Sequence, residues 1–82
     1  MRLLGLDPGL GTTGWGVIEF DRGRLAYVAC GIVTTDPARP LAARLVQLAD
    51  GLEAVLTAHR PDEAAVEETF VNRNAVSTLR LG

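Results

Sequence analysis

The chain has 82 residues, of which 48% are hydrophobic and 22% charged, with a formal net charge of −2. This is the composition of a globular domain and excludes a disordered tail or a collagen-like repeat. The acidic balance disfavours a basic nucleic-acid coat protein but is compatible with a nuclease. The single cysteine excludes a disulfide-stapled secreted domain. The longest apolar stretch, residues 25–33, is shorter than the roughly 20 residues that span a membrane, so we expect a soluble, cytoplasmic protein.

Three strands are predicted at the start of the chain. A short apolar run over residues 2–7 is ended by Pro8, which has no N–H for a sheet ladder. A glycine-punctuated connection leads to a second strand over residues 15–20, and the turn sequence DRGR leads to a third over residues 25–35. Because both connections are short, we predict an antiparallel meander. Cys30, within the third strand, is expected to be a buried apolar filler.

A helix is predicted after the proline-rich turn that follows the third strand. Apolar residues recur at every third or fourth position over residues 41–56, and polar residues such as Arg44 take the opposite face. Pro61 predicts that the helix ends near His59. Gly51, inside the helix, costs about 1 kcal/mol relative to alanine.

The last predicted elements are a strand over residues 63–67 and a second helix that begins near residues 72–74. The resulting order, β-β-β-α-β-α, predicts an α/β fold with a mixed sheet covered by helices. A crossover through the first helix should place the fourth strand parallel to the first. We expect that fourth strand at the edge of the sheet, with its outer ladder unpaired.

Two carboxylates follow from this topology as candidates for chemistry. Asp7 ends the first strand and Glu67 ends the fourth, so parallel neighbours would bring both to one edge of the sheet. Side chains alternate along a strand, so only one of Glu67 and Glu68 can share a face with Asp7. Paired carboxylates without histidine or cysteine suit Mg²⁺ or Mn²⁺. Taken singly, Asp7 also fits a turn before proline, and Glu67 a solvated strand end.

Other residues are weaker candidates. Thr12 and Thr13 could contact phosphate, although loop hydroxyls more often satisfy their own backbone. His59 is expected at the surface, complementing the dipole at the helix end. Trp15 and Tyr27 are expected to pack against the helices or to cap the sheet. Asn72 and Asn74 are candidates for DNA contact or for capping the second helix, and we favour the cap for one of them.

The whole sequence resembles the N-terminal part of the RuvC-type Holliday junction resolvases, a family of ribonuclease-H-like nucleases. The resemblance is carried by GLDPGLGTTGWGVIE at the start, LAARL at the first helix and RPDEAAVEETFVNRNAVSTLRLG at the end. It covers essentially all of the chain and about half of a family member. It implies that residues 1–82 form the N-terminal part of a single ribonuclease-H-like nuclease domain.

The resemblance also implies roles for individual residues. Asp7 and Glu67 match two of the family's four catalytic carboxylates, which bind two Mg²⁺ ions, or Mn²⁺, at the scissile phosphate. Phe70 matches an aromatic residue that stacks on DNA bases at the junction, and Arg73 lies where some relatives carry a basic residue near the scissile phosphate. The other two carboxylates belong to a later helix, so residues 1–82 alone are expected to be inactive.

By the same resemblance, the expected activity is endonucleolytic resolution of four-way DNA junctions by paired symmetric nicks in recombination and repair. Two nicks require two active sites, which a homodimer provides. The expected partners are the four-way junction, a second copy of the chain and the RuvA–RuvB branch-migration complex, without a membrane.

Two alternatives stay open at this point. The sequence could also belong to an actin-like sugar kinase or ATPase, whose phosphate loop likewise follows a first strand. The residues that would form this loop are Asp7, Gly9, Thr12, Thr13 and Gly14. A nucleic-acid-binding module of the same fold without catalysis is the other alternative. Magnesium-dependent nicking of a four-way junction, ATP turnover and binding without cleavage distinguish the three.

Overall fold

The computed structural model describes residues 1–9, 11–67 and 76–80. Within these ranges the five strands form one mixed sheet in the order β3-β2-β1-β4-β5. In chain order, the elements are β1 (Arg2–Pro8), β2 (Thr12–Asp21), β3 (Arg24–Thr34), α1 (Leu41–His59), β4 (Glu63–Glu67) and β5 (Val76–Arg80).

The first three strands form the predicted antiparallel meander. β1 pairs with β2 and β2 with β3, both antiparallel, and a register shift interrupts the second ladder between Val17 and Ile18. The β2–β3 connection places Arg22 at φ 52° and Gly23 at φ 78°. Two successive residues with positive φ match the right-handed twist of a tight hairpin. The hairpin prediction from the DRGR sequence is therefore confirmed.

Helix α1 covers one face of the sheet, and the core lies between them. The buried residues of this core come from β1, β2, α1 and β4, and partly buried apolar side chains pack against them. Because side chains alternate along a strand, the even-numbered residues of β1 face the helix and the odd-numbered ones face away. The buried core residues are Leu4, Val17, Val55 and Ala64, with Leu6, Trp15 and Val28 packed against them.

The helix ends where the sequence predicted. Its last residue is His59, and Arg60 adopts a left-handed conformation (φ 48°) while its N–H donates to the Leu56 carbonyl at 2.8 Å. The buried Pro61 then prevents continuation. In the part of the chain that the structure describes, no helix combines the length and apolar character needed to cross a membrane.

The predicted second helix is wrong over residues 76–80. These residues form β5, which pairs antiparallel with β4 from Glu63↔Arg80 to Glu67↔Val76. The expectation that β4 lies at the edge is wrong for the same reason, because β5 takes that position. A strand gains a full ladder from the open edge of β4, whereas a helix of barely two turns has too few hydrogen bonds to offset its nucleation. The predicted start of that helix, residues 72–74, lies outside the described residues.

Cys30 is exposed rather than buried. It pairs with Gly16 of β2 and so lies on the sheet face away from α1, which covers only one face. The Tyr27 hydroxyl donates a hydrogen bond to Cys30 Sγ at 3.5 Å. That hydrogen bond, together with repulsion from a charged thiolate, raises the pKa of Tyr27.

Gly51 lets α1 approach β3 closely. An alanine Cβ there would overlap Val33 Cγ1 and lie 3.1 Å from Val33 Cγ2. We predict that Gly51→Ala destabilises the protein by about 1–2 kcal/mol, because overpacking outweighs the gain in helix propensity. Urea unfolding of the natural protein that carries this chain measures the change.

The double variant Gly51→Ala/Val33→Ala should be less destabilised than the two single changes added together, because the smaller side chain removes the overlap. Gly16→Ala serves as the control, since a Cβ there meets no atom within 4 Å. A Gly51→Ala protein more stable than the wild type would contradict the packing argument.

Candidate functional site

Asp7 lies near the carboxyl end of β1, the strand at the centre of the sheet. Its partner across the β1–β2 ladder is Gly14. A Cβ at Gly14 would lie 3.9 Å from Asp7 Cβ, so the glycine leaves the space beside the carboxylate empty. Gly5 and Gly16 pair with each other two residues away and lie on the same face of the sheet as Gly14. These three glycines form a glycine strip, a part of the sheet surface that carries no side chains. The exposed Asp7 carboxylate therefore stands beside a shallow backbone surface that a bulky ligand can approach closely.

Glu67 is brought beside Asp7 by the parallel pairing of β1 with β4. The ladder runs from Leu3↔Glu63 to Leu6↔Val66, and Asp7 and Glu67 come one residue further along each strand. In-register residues of parallel neighbours point to the same face, and such strands lie about 4.8 Å apart. Both carboxylates thus occupy one face and one edge of the sheet, the face away from α1. Glu68 lies outside the described residues.

The register of this ladder is anchored at its opposite end by Arg2 and Asp62. The Arg2 N–H donates to Asp62 Oδ2, and the Asp62 N–H donates to the Arg2 carbonyl, both at 2.8 Å. The Arg2 guanidinium also donates to the His59 carbonyl at 2.8 Å, at the end of α1. These three bonds tie the helix end and the start of β4 to the start of β1. They determine which residue of β4 lies opposite Asp7.

The donor set of the pair fits a hard divalent cation. Both groups are exposed carboxylates, and neither has a hydrogen bond or ion pair with any of the described residues. Oxygen ligands of this kind are what Mg²⁺ and Mn²⁺ prefer. Within residues 1–9, 11–67 and 76–80 no group of three or more aspartate, glutamate, histidine or cysteine side chains could hold a metal ion. Two carboxylates alone are fewer ligands than the octahedral coordination of Mg²⁺ requires.

Four residues are predicted from the sequence to contact DNA. Phe70, Asn72, Arg73 and Asn74 all lie outside the described residues. Their expected roles stay predictions from the sequence.

The other sequence candidates occupy structural positions. The indole ring of Trp15 packs against the His59 imidazole, with centroids 5.4 Å apart and planes tilted by 43°, so packing against the helix is confirmed for Trp15. Tyr27 does not pack against the helix, because it is exposed on the face of the sheet away from α1. His59 is half-buried by the same contact, rather than free at the surface. Thr13 is buried, and Thr12 is exposed at the start of β2.

Sequence reasoning missed Arg44 as a functional candidate. The helix pattern assigns Arg44 to the polar face, but in the structure its guanidinium lies beside Gly11 of the β1–β2 connection. Its Nε donates a hydrogen bond to Thr35 Oγ1. The signal in the sequence is an arginine in the first turns of a helix together with a glycine- and threonine-rich loop. Only the tertiary fold brings the two together.

Comparison with known proteins agrees with this architecture. A family model described as "Crossover junction endodeoxyribonuclease RuvC" matches residues 3–82. Relatives of that name from Rhodospirillum rubrum and Azorhizobium caulinodans are 65% and 60% identical over 82 residues, which is 100% of this chain and 48% of each relative. The chain thus spans about half the length of the curated relatives it matches.

Two solved structures share the fold. "Thermus thermophilus RuvC structure" superposes with a TM-score of 0.71 at 32% identity, covering 84% of this chain and 46% of that one. "T. thermophilus RuvC in complex with Holliday junction substrate" gives a TM-score of 0.75 at 29% identity, covering 90% of this chain and 48% of that one. The ribonuclease-H-like mixed sheet is therefore confirmed. With its family match over nearly the whole length, the chain belongs to the RuvC family of crossover junction endodeoxyribonucleases.

Proposed function

We propose that this chain carries half of the active site of a metal-dependent endonuclease that resolves four-way DNA junctions. The observation that supports this proposal most strongly is the in-register placement of Asp7 and Glu67 on one face of the sheet. Family membership favours a nuclease over the actin-like kinase alternative. We further propose that residues 1–82 are the N-terminal part of a single ribonuclease-H-like domain, since they align with about half of each relative.

We propose Mg²⁺, with Mn²⁺ as a substitute, as the metal that the carboxylates bind. When bound, the metal supplies positive charge that offsets the charge developing on the phosphate oxygens and activates a water molecule. Water adds to the phosphorus and loses a proton, the bond from phosphorus to the 3′-oxygen breaks, and that oxygen gains a proton, which leaves a 5′-phosphate and a 3′-hydroxyl. Asp7 and Glu67 act from two hydrogen-bonded strands, whose rigidity keeps their spacing fixed. The glycine strip beside Asp7 leaves room for the sugar–phosphate backbone.

We propose a homodimer as the active form, because resolution needs two symmetric nicks and a two-fold axis supplies two equivalent sites. The relative solved with a Holliday junction supports the four-way junction as substrate. By family resemblance, the RuvA–RuvB complex is the proposed partner during branch migration. Action on chromosomal DNA supports a cytoplasmic location.

We predict that Asp7→Asn and Glu67→Gln each abolish junction cleavage and leave junction binding intact or tighter. Each change removes a metal ligand, and each also removes an anion that repels DNA phosphate. Nicking in magnesium and binding by fluorescence anisotropy, both with the natural protein that carries this chain, measure the two effects. The matched controls are Asp50→Asn and Glu53→Gln, since both residues are exposed on α1.

Several outcomes would decide against the proposal. Cleavage at the wild-type rate by Asp7→Asn or Glu67→Gln would show that the substituted carboxylate is not part of the active site. A wild-type protein that binds junctions tightly without nicking them in Mg²⁺ or Mn²⁺ would support the non-catalytic binding module instead.

We predict that Phe70→Ala weakens junction cleavage about ten- to a hundredfold with little change in melting temperature. Stacking of one base on an aromatic side chain contributes about 1–3 kcal/mol. The sequence around Phe70 is polar, which argues against a place in the core. Phe20→Ala is the matched control, because Phe20 is an exposed aromatic residue at the end of β2 that is far from Asp7. A large fall in the Phe70→Ala melting temperature would show that Phe70 is a core residue.

A further inference from the structure

An open cavity that contains an arginine and three threonines lies at the same end of the sheet as Asp7, beside the start of α1. It has a volume of about 500 Å³. Its walls come from the β1–β2 connection, the end of β3 and the first turns of the helix. The lining residues are Gly11, Thr12, Thr34, Thr35, Pro37 and Arg44.

The walls of this cavity are held by backbone hydrogen bonds. Thr12 pairs with Thr34 at the end of the β2–β3 ladder. The Thr35 N–H donates to the Gly11 carbonyl at 3.0 Å, which closes the β1–β2 connection onto the residue after β3. The backbone at Gly11, Thr12, Thr34 and Thr35 therefore has a defined position before any ligand arrives.

Among the described residues that line the cavity, Arg44 supplies the one cationic side chain. Its Nε donates to Thr35 Oγ1 at 3.1 Å in a partly buried contact, which fixes the plane of the guanidinium. Among the described residues, no carboxylate lies within 4.0 Å of it. Its terminal N–H groups can therefore donate hydrogen bonds to an anion.

The surroundings favour an anion from outside the chain over a carboxylate of the chain itself. Asp36, the acid next to the cavity, is already engaged: its Oδ1 accepts from the Ala38 N–H at 2.9 Å and its Oδ2 lies 3.9 Å from Arg39 Nε. Arg44 Nη2 lies 3.5 Å from where a Cβ on Gly11 would stand, and Gly11 has φ +82°. A side chain at Gly11 would contact the guanidinium and would strain the left-handed backbone, whereas glycine leaves that side of the guanidinium uncovered.

The position of the cavity relative to the carboxylates indicates which anion it takes. Pro8 pairs with Thr13, and Asp7 pairs with Gly14, so the cavity begins within two residues of the proposed active site. Asp7 faces away from α1, and Arg44 belongs to α1, so the two groups lie on opposite sides of one sheet edge. A nucleic acid strand that crosses this edge passes both groups. Arginine suits phosphate because its planar fork donates two parallel hydrogen bonds.

We propose that Arg44, oriented by Thr35 and reached past Gly11, binds a non-scissile backbone phosphate of the DNA strand that is cut at Asp7 and Glu67. The proposal rests on the proposed function for the identity of the ligand. The chemistry of the site, an arginine fork with threonine hydroxyls, is that of a phosphate monoanion or diester.

Junction binding across a range of salt concentrations tests the proposal in the natural protein that carries this chain. For Arg44→Gln we expect about tenfold weaker binding and a fall of about 1 in the magnitude of the slope of log K against log salt, because one phosphate contact is lost. Arg39→Gln is the matched control, since Arg39 is exposed, close in sequence and outside the cavity lining. It should leave both quantities unchanged.

Thr35→Val tests the orienting bond without removing the charge. We expect about threefold weaker binding, with recovery in Thr35→Ser, because serine keeps the hydroxyl that accepts from Arg44 Nε. Melting temperatures of all variants accompany the measurement. An Arg44→Gln protein that melts normally and keeps the wild-type salt slope would overturn the proposal. If Arg44→Gln fails to fold, a wild-type salt slope and affinity in Thr35→Val overturn it instead.

The Arg44 Nε–H NMR signal separates this site from the proposed function. We expect the signal to shift on addition of junction DNA, and more weakly on addition of inorganic phosphate at low salt. A shift with phosphate in a protein that binds no DNA would contradict the proposed function and leave a free-phosphate site. The absence of a shift with both probes would overturn the Arg44 site and leave junction resolution unaffected.

Discussion

The parallel ladder between β1 and β4 joins residues 60 positions apart, as in the pair Leu3↔Glu63. Such a non-local pairing forms only when α1 spans the distance between the two strands and returns the chain to the sheet. The contacts of Arg2 with Asp62 and His59 fix its register. A slip of one residue would turn Glu67 toward the helix face and separate it from Asp7. The candidate active site thus depends on hydrogen bonds at the far end of the same two strands.

The two faces of the sheet differ in what covers them and in which side chains they carry. The α1 side contains the core around Leu4, Val17 and Val55, so it provides the rigidity of the strands. The opposite side carries Asp7 and Glu67 next to a glycine strip, and large apolar side chains such as Tyr27 and Ile32 remain exposed there. Arg44 brings a cation from the helix side to the edge at which the carboxylates stand. This arrangement suits a substrate that is a polyanion, since its path would then run between the Arg44 cation and the two carboxylates for which we propose a metal ion.

The sequence predicted those features that depend on local pattern. The 3.6-residue period with Pro61 gave the helix and its end at His59, and the short connections gave the meander. The placement of Asp7 and Glu67 at one edge of the sheet could also be predicted, because strand ends in a parallel crossover meet at one edge. Tertiary context decided the remainder. β5 forms because β4 offers an open edge, Cys30 is exposed because α1 covers one face only, and Arg44 meets the β1–β2 loop only in the folded chain.

The central claim, that Asp7 and Glu67 share one metal site, is tested most directly by titrating Mn²⁺ into the natural protein that carries this chain and following paramagnetic broadening of amide NMR signals. The amides of Asp7 and Glu67 should broaden together at the same Mn²⁺ concentrations, while that of Asp21 at the other end of β2 stays sharp. In Asp7→Asn, broadening at Glu67 should require more Mn²⁺. Broadening at one residue without the other, or a Glu67 response that Asp7→Asn leaves unchanged, would contradict a shared site.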